Sequence, residues 1–531
     1  MQPWQELLET SLAAAGLEDL WCVTLLRNLL HPELGALHLG SPWGPNLRLA
    51  VRLVSPEYWG QYTLLRQDAG LLEALNQSVQ KLPLIGLLHW LEQPQLQQRS
   101  PLPEALHLYG RWWSDHAQSE LSHIRFGAGG LIETEPYGEN PESLPNERPF
   151  GVNLIGHAFE VFGIGEDVRM AALALSSAEV PFCVVNVPAN NGASRSDRSL
   201  EPQTLPPGKL GPYRFNLVCL AAPSHGAWIA REGMAQQRGR TTIVAWPWET
   251  QTWPGAWECL IPLADVFWPS STFTAQALRP FSDPCRRPMQ VMPMAVHIDN
   301  PEQYRRTARR RATRERWNLD PDAKLVLFVF DVKSSLARKN PWGAIATFQH
   351  AFTEGETTQV HLVIKALRPM AANTEWETLQ GKVKEDPRLI LIDKNLERGE
   401  LLELMGCCDV FLSMHRSEGF GRGIAEAGIL GLEVVASSFG GNADFCQGSS
   451  FHLVTCNLSV VTANAYPQAA GHIWGEPNLE EAVQHLRHAT RRDHLSPAVQ
   501  RSNPILDQLS REACGQRYAE ELKRLQSILN A

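Results

Sequence analysis

The sequence predicts an α/β protein with two doubly wound parallel sheets, preceded by an additional N-terminal region. Three observations lead there. From about residue 149 onward, short apolar runs alternate with helical patterns, the βα signature of a parallel sheet. A polar stretch over residues 297–317 divides those runs into two sets. In the second set a strand-like run, 409–414, feeds a glycine-rich turn that opens a helix. At 531 residues the chain exceeds one ordinary core, so roughly two to four domains are expected.

Each element follows from its pattern. In the first set, 151–155, 182–187, 215–221, 241–246, 266–268 and 289–296 read as strands, with helical stretches at 166–177 and 228–237. In the second, 325–330, 360–365, 389–392, 409–414 and 433–437 read as strands, joined by helices such as 341–352, 400–407 and 422–430. The expected organisation is an accessory region at 1–145, an α/β domain at 146–297, a linker at 298–317, a second α/β domain at 318–508 and a C-terminal helix at 509–531. Ligands of such sheets bind beyond the C-terminal strand ends, so a cleft where the two sets face each other is the expected site.

Residues 1–145 are rich in Leu, Gln and Trp. Helical periodicity is fair at 4–15 and 71–82, while 37–54 fits a hairpin. Trp4, Trp21, Trp43, Trp59, Trp90, Trp112 and Trp113 could stack on carbohydrate, but large aromatics at these spacings are usually core. Residues 190–210 lack apolar periodicity and read as a long loop near the cleft, of the length that often serves as a lid or binding loop.

Composition removes several classes. A formal net charge of -9 argues against a general nucleic-acid binder, which needs basic surface for phosphates. Hydrophobic content of 44% and charged content of 20% fit a globular chain. Ten cysteines are scattered without CxxC pairs, as expected of reduced, buried thiols in a cytoplasmic protein. The N-terminus lacks a basic start and a long apolar stretch, and no run approaches a membrane span, so any membrane contact is expected to be peripheral. The stretch 297–317 carries Arg305, Arg306, Arg309, Arg310, Arg311, Arg314 and Arg316. These could meet anionic lipid headgroups; the plainer reading, a solvated helix beside a hinge, is the commoner outcome for a charge run.

The turn, Ser417 to Glu426, carries the chemistry. Its glycines let backbone approach a ligand closely. The new helix offers free N–H groups and the positive end of its dipole to an anion such as a diphosphate. Glu418 and Glu426, eight positions apart, suit sugar hydroxyls, because an ionised carboxylate only accepts hydrogen bonds. Phosphate and sugar side by side suggest a nucleotide-sugar. A glycine turn with two glutamates by chance is the plainer alternative, and it is outweighed by the surroundings.

Those surroundings are Phe330-Asp331, Arg338-Lys339-Asn340-Pro341, Leu362-Val363-Ile364-Lys365, Asp409-Val410-Phe411-Leu412, His415 through Gly421, Glu426-Ala427, Gly440 through Phe445, and Trp474-Gly475-Glu476-Pro477. Earlier come Gly163-Ile164-Gly165-Glu166, Trp246-Pro247-Trp248-Glu249 and Trp268-Pro269-Ser270-Ser271. In this order they resemble the GT-B glycosyltransferases of the large retaining family four, the glycosyl group one transferases with an E-x7-E motif. The resemblance covers the chain from about Gly151 to its C-terminus, and it implies a GT-B fold with two Rossmann-like domains.

The resemblance implies roles. Glu426 would accept from ribose hydroxyls, and Glu418 with the amides of Gly419, Phe420 and Gly421 would hold the donor sugar. Lys339 and Arg338 would neutralise the diphosphate and stabilise it as a leaving group. Lys365 would point toward the same cleft, and Gly163 and Gly165 would line it from the first domain. Relatives place a second cation about six positions before the lysine, where Lys333 is nearest. Arg422 stands where an aliphatic residue is usual, as a further phosphate ligand or a salt-bridge partner. His225, within Ala222-Pro223-Ser224-His225-Gly226, is the candidate for the family's cleft histidine. The implied activity is sugar transfer from a nucleotide diphosphate sugar to an acceptor hydroxyl on a polysaccharide, lipid-linked glycan or glycolipid. The anomeric configuration is kept, and no cofactor or metal is needed. Base identity would be read by the loop around 394–396. A sugar-nucleotide epimerase of the same architecture, or a catalytically silent scaffold, are the alternatives.

Overall fold

The computed structural model describes residues 3–31, 45–79, 82–102, 105–134, 148–189, 192–353, 359–367, 374–492 and 504–530. Two units emerge: Met1–Pro149 with Ala222–Thr241 and Gly255–Ala264, and Phe150–Ala221 with Thr242–Pro254 and Asp265–Ala531.

The first unit is mainly helical, with one two-stranded hairpin of β1 (Ser78–Val79) and β2 (Leu82–Pro83). The helix expected at 71–82 ends at Asn76, and the hairpin begins at Ser78. The hairpin expected at 37–54 falls partly outside the described residues; within them, Pro45–Leu53 is a helix, and Leu47, Ala50 and Leu53 bury one face of it. Trp59, Trp90 and Trp113 are buried, the core role expected of them. Helix Ala222–Glu232 and the turn Gly255–Leu263 belong here rather than with the first α/β domain. The reason is packing against helix Trp21–Leu29. A Cβ on Gly226 would stand 2.5 Å from Leu260 and 2.6 Å from Leu29. Trp21 Nε1 donates to the Cys259 carbonyl at 2.8 Å, and Asn28 Nδ2 to the Ala256 carbonyl at 3.1 Å.

The second unit carries both large sheets. β3 (Val152–Gly156), β4 (Phe182–Asn186), β5 (Phe215–Cys219), β6 (Thr241–Val244) and β7 (Val266–Phe267) form one, in the order β4-β3-β5-β6-β7. The strand expected at 289–296 is instead an extended segment with a single bridge, Phe267 to Met289. The Gln290 and Met292 amides still donate to the Phe267 and Pro269 carbonyls at 3.0 and 2.8 Å, but Pro269 has no N–H to return a bond, so the ladder goes no further. The other sheet comprises β8 (Lys324–Asp331), β9 (Val360–Leu367), β10 (Leu389–Ile392), β11 (Val410–Ser413), β12 (Glu433–Ser437) and β13 (Phe451–Val454), in the order β10-β9-β8-β11-β12-β13. All its strand pairs are parallel. That order reverses between β8 and β11, so the loops leaving those two strands flank the position where doubly wound sheets bind ligands. An antiparallel hairpin of β14 (Cys456–Val460) and β15 (Ile473–Pro477) follows.

The C-terminal helix Arg511–Asn530 returns to the first sheet's helix Gly163–Ser177, burying Cys514, Tyr518, Leu522 and Leu525. Close approach requires Gly515, where a Cβ would lie 2.2 Å from the Ala174 carbonyl oxygen.

The arginine-rich stretch is not a solvated helix throughout. Helix Thr307–Arg316 buries Arg310 and Arg314, and each places a guanidinium nitrogen 3.0 Å from Asp409. The same arginines bond the carbonyls of Gly406, Cys407 and Cys408, the C-terminal end of helix Arg398–Cys407 and the residue after it. Asp409 Oδ2 also accepts from the Leu325 amide at 2.7 Å, tying the clamp to β8. Among the described residues, no helix is long and apolar enough to cross a membrane.

Candidate active site

Two loops at the β8/β11 reversal build the centre. After β8, Ser335 takes φ +67 and its Oγ caps the short helix Leu336–Lys339 by accepting from the Arg338 amide at 3.1 Å. Asn340, at φ +53, ends that helix and caps the next, Pro341–Ala351, through Oδ1 to the Gly343 amide at 2.9 Å. Tight capping on both sides fixes where Arg338 and Lys339 leave the backbone. After β11, Gly421 adopts φ +92 as the N-cap of helix Arg422–Ile429 and brings no side chain over its first turn. Gly419 is required by contact, since a Cβ would lie 2.7 Å from the Trp248 carbonyl oxygen. Phe420 is buried against Phe445, so it can meet a ligand only through its backbone.

Charges converge on Glu418. Lys339 Nζ lies 2.5 Å from Glu418 Oε2, and Arg338 Nη1 lies 3.4 Å from the same oxygen. Burial alone would push this carboxyl up, but the Lys339 and Arg338 cations outweigh it and hold the carboxyl down at about 2. Arg338 is itself buried, donating to the Ser417 carbonyl at 2.9 Å, with the Tyr466 ring 5.4 Å from its guanidinium carbon. Burial brings the neighbouring His415 imidazole down to about 4, so it is neutral near pH 7.

The first sheet's loops close on the same turn. Ser271 Oγ donates to the Gly419 carbonyl at 2.6 Å, and Thr272 Oγ1 to Asp444 at 2.5 Å. Ser417 Oγ donates to the Glu249 carbonyl. The Glu249 carboxylate accepts from the Tyr466 hydroxyl at 2.5 Å and lies 3.9 Å from Arg338.

A second charged group surrounds Glu426, which is buried on the new helix. Arg398 Nη1 lies 2.7 Å from Glu426 Oε1, and Arg398 Nε lies 3.4 Å from Glu166 at the start of helix Gly163–Ser177. Arg422 pairs with Asp167 at 2.5 Å and donates to the Ala295 carbonyl, so it is a salt-bridge partner here. Gly165 lets the Gly163–Ser177 helix fold tightly onto the loop before it: a Cβ would stand 2.2 Å from the Glu160 carbonyl oxygen. Gly163 has open space at its Cβ position.

The structure therefore gathers Glu418, Lys339, Arg338 and the Gly419–Gly421 turn, with Glu426 on the helix that follows the turn. It does not gather Lys365 or His225. Lys365 is wholly buried inside β9, and its Nζ donates to the carbonyls of Ala366 and Lys394 at 2.7 and 2.6 Å. β9 runs on to Leu367, so Lys365 is not the strand-end residue it resembles in the sequence. Burial lowers its ammonium to about 8. His225 lies in the other unit, with no exposed surface, its Nε2 3.0 Å from Gln237 Nε2. Burial takes it down to about 3, so the ring is neutral near pH 7 and has no surface to offer a ligand.

No family model matches this sequence, and no curated protein matches it. Solved structures do match. A sucrose-phosphate synthase from Thermosynechococcus elongatus aligns with a TM-score of 0.50 at 14% identity, covering 71% of this chain and 100% of that one. A glycosyltransferase from Rickettsia africae ESF-5 aligns with a TM-score of 0.50 at 12% identity, covering 72% and 99%. The chain has the GT-B fold. At these identities the likeness is one of architecture, and a shared fold does not by itself carry a shared chemistry.

Sequence reasoning passed over three contributors to this GT-B centre: Arg398, Tyr466, and the carboxylate of Glu249 as a partner of Arg338. Arg398 opens a helix directly after the loop assigned to the base, which is a positional signal. Tyr466 carries none, because it lies between the strands of the β14–β15 hairpin, which the strand pattern did not foresee.

Proposed function

We propose that this chain is a retaining glycosyltransferase, moving a sugar from a nucleotide diphosphate sugar to an acceptor hydroxyl. The observation that carries the reading is the meeting of Lys339 and Glu418 beside the uncapped helix at Gly421. A diphosphate arriving at that helix end would find the positive dipole end and could draw the Lys339 ammonium from Glu418. Lys339, with Arg338 behind it, would then stabilise the negative charge that grows on the leaving diphosphate. Chain cations would do the work often given to a metal. Glu418, ionised through the neutral range, would accept from donor-sugar hydroxyls near the reacting carbon. Glu426 would take the ribose hydroxyls, with Arg398 releasing one carboxylate oxygen to them. The shared architecture with a sucrose-phosphate synthase and a glycosyltransferase makes sugar transfer the first activity to test. A polysaccharide, lipid-linked glycan or glycolipid would be the acceptor, met by the first sheet's side of the site.

A thermal-shift panel of UDP, GDP, dTDP and ADP sugars tests this. Stabilisation by one nucleotide class supports the reading, since a ligand that binds only the folded state raises the melting temperature. No response to any of the four would favour a silent scaffold.

A further inference from the structure

Arg398 is an incomplete pair. Its Nη1 serves Glu426 and its Nε faces Glu166, both carboxylates of this unit. Its Nη2 is buried and makes no hydrogen bond to any described residue. A buried donor left unsatisfied is uncommon in native proteins, and one beside a ligand site is the ordinary exception. A guanidinium carries five N–H donors in a planar fork and no acceptor, so whatever completes it must offer an oxygen or ring nitrogen.

Position narrows the ligand. On the nucleotide-sugar reading, on which this inference rests, the diphosphate lies toward Lys339 and Glu418 and the ribose toward Glu426. The nucleobase is joined to the ribose, so it would come among the groups around Glu426, and Arg398 is the cation in contact with that carboxylate. Arg398 directly follows the segment 393–397, whose Lys394 carbonyl is held by the buried Lys365 ammonium at 2.6 Å. The segment leading into Arg398 is thus held to β9. We propose that Arg398 is a specificity-determining residue that reads the nucleobase, with its Nη2 donating to a ring carbonyl oxygen. Uracil, thymine and guanine present such an oxygen; adenine presents an exocyclic amino donor in the corresponding place.

The test is a titration of UDP, dTDP, GDP and ADP into the full-length chain and its Arg398→Lys and Arg398→Gln variants. Lysine keeps a cation for Glu426 and Glu166, and so protects folding, but it loses the fork. Wild type should bind at least one carbonyl-bearing nucleotide about tenfold more tightly than ADP, and Arg398→Lys should shrink that preference to about twofold or less while keeping its melting temperature. Arg398→Gln, which keeps one donor but no charge, should lose affinity for every nucleotide as well as the preference. Tightest binding of ADP by wild type, or an undiminished preference in Arg398→Lys, would overturn the assignment while leaving the nucleotide site standing. Absence of any nucleotide binding by wild type would remove the site reading itself.

Discussion

Lys339 Nζ and Glu418 Oε2 stand 2.5 Å apart, so the cation suited to a diphosphate and the carboxylate suited to a sugar neutralise each other. Lysine's flexible stem lets such a pair exchange partners without moving backbone. If the charge acts mainly on the leaving group, Lys339→Ala should lower kcat on the order of a hundredfold with KM changed much less. Steady-state kinetics separate the two. A raised KM with kcat intact would make Lys339 a uniform binding residue and move the leaving-group role to Arg338.

The same pair has a pH signature. Glu418 is depressed to about 2, against about 4.3 for an unperturbed glutamate. A depressed carboxyl stabilises the fold fully above its unfolded value, and that contribution is lost as pH falls through the folded value. Melting of wild type should therefore drop more steeply than that of Glu418→Gln between about pH 4.5 and pH 2, by about 1.5–3 kcal/mol in total. Parallel pH profiles for the two proteins would show that the pairing contributes nothing.

Asp409 anchors a different part of the molecule. It holds Arg310 and Arg314 at 3.0 Å each, all three side chains being buried. Removing one partner of a buried pair leaves uncompensated charge, at about 3–5 kcal/mol. Asp409→Ala should lower the melting temperature on the order of 5–10 °C. A change within 1 °C or so of wild type would mean that water solvates the two guanidiniums readily in its place.

Much of this site was legible before the fold. The run into Ser417–Glu426 announces itself because a strand pattern, left-handed glycine and an apolar helix face are all local properties. Lys339 was singled out by the resemblance, within Arg338-Lys339-Asn340-Pro341, and that stretch lies between two capped helices. The failures were tertiary. Lys365 looks like a strand-end cation only if the strand stops there, and two further residues of pairing bury it. His225 is buried on helix Ala222–Glu232, whose packing partner, helix Trp21–Leu29, nothing in its own neighbourhood reveals. Arg310 and Arg314 read as a charge run because spacing cannot show that Asp409, far along the chain, waits for them.

The packing around Gly226 changes what a truncation would do. Removing residues 1–145 should strip cover from helix Ala222–Glu232 and the turn Gly255–Leu263, and break the bonds from Trp21 and Asn28. The truncated chain is expected to be insoluble or to melt at least 10 °C below wild type, a scale set by several buried Leu and Trp side chains. Differential scanning calorimetry with a solubility assay decides it. A soluble truncation with unchanged melting would mark residues 1–145 as a detachable module.

The most direct measurement is release of nucleoside diphosphate from a panel of nucleotide sugars by the full-length chain, with and without a mixed glycan and glycolipid acceptor fraction. The expected result is release from one nucleotide class, faster with acceptor, and lowered on the order of a hundredfold by Lys339→Ala. Release from no donor, or release that Lys339→Ala leaves untouched, would contradict sugar transfer at this site.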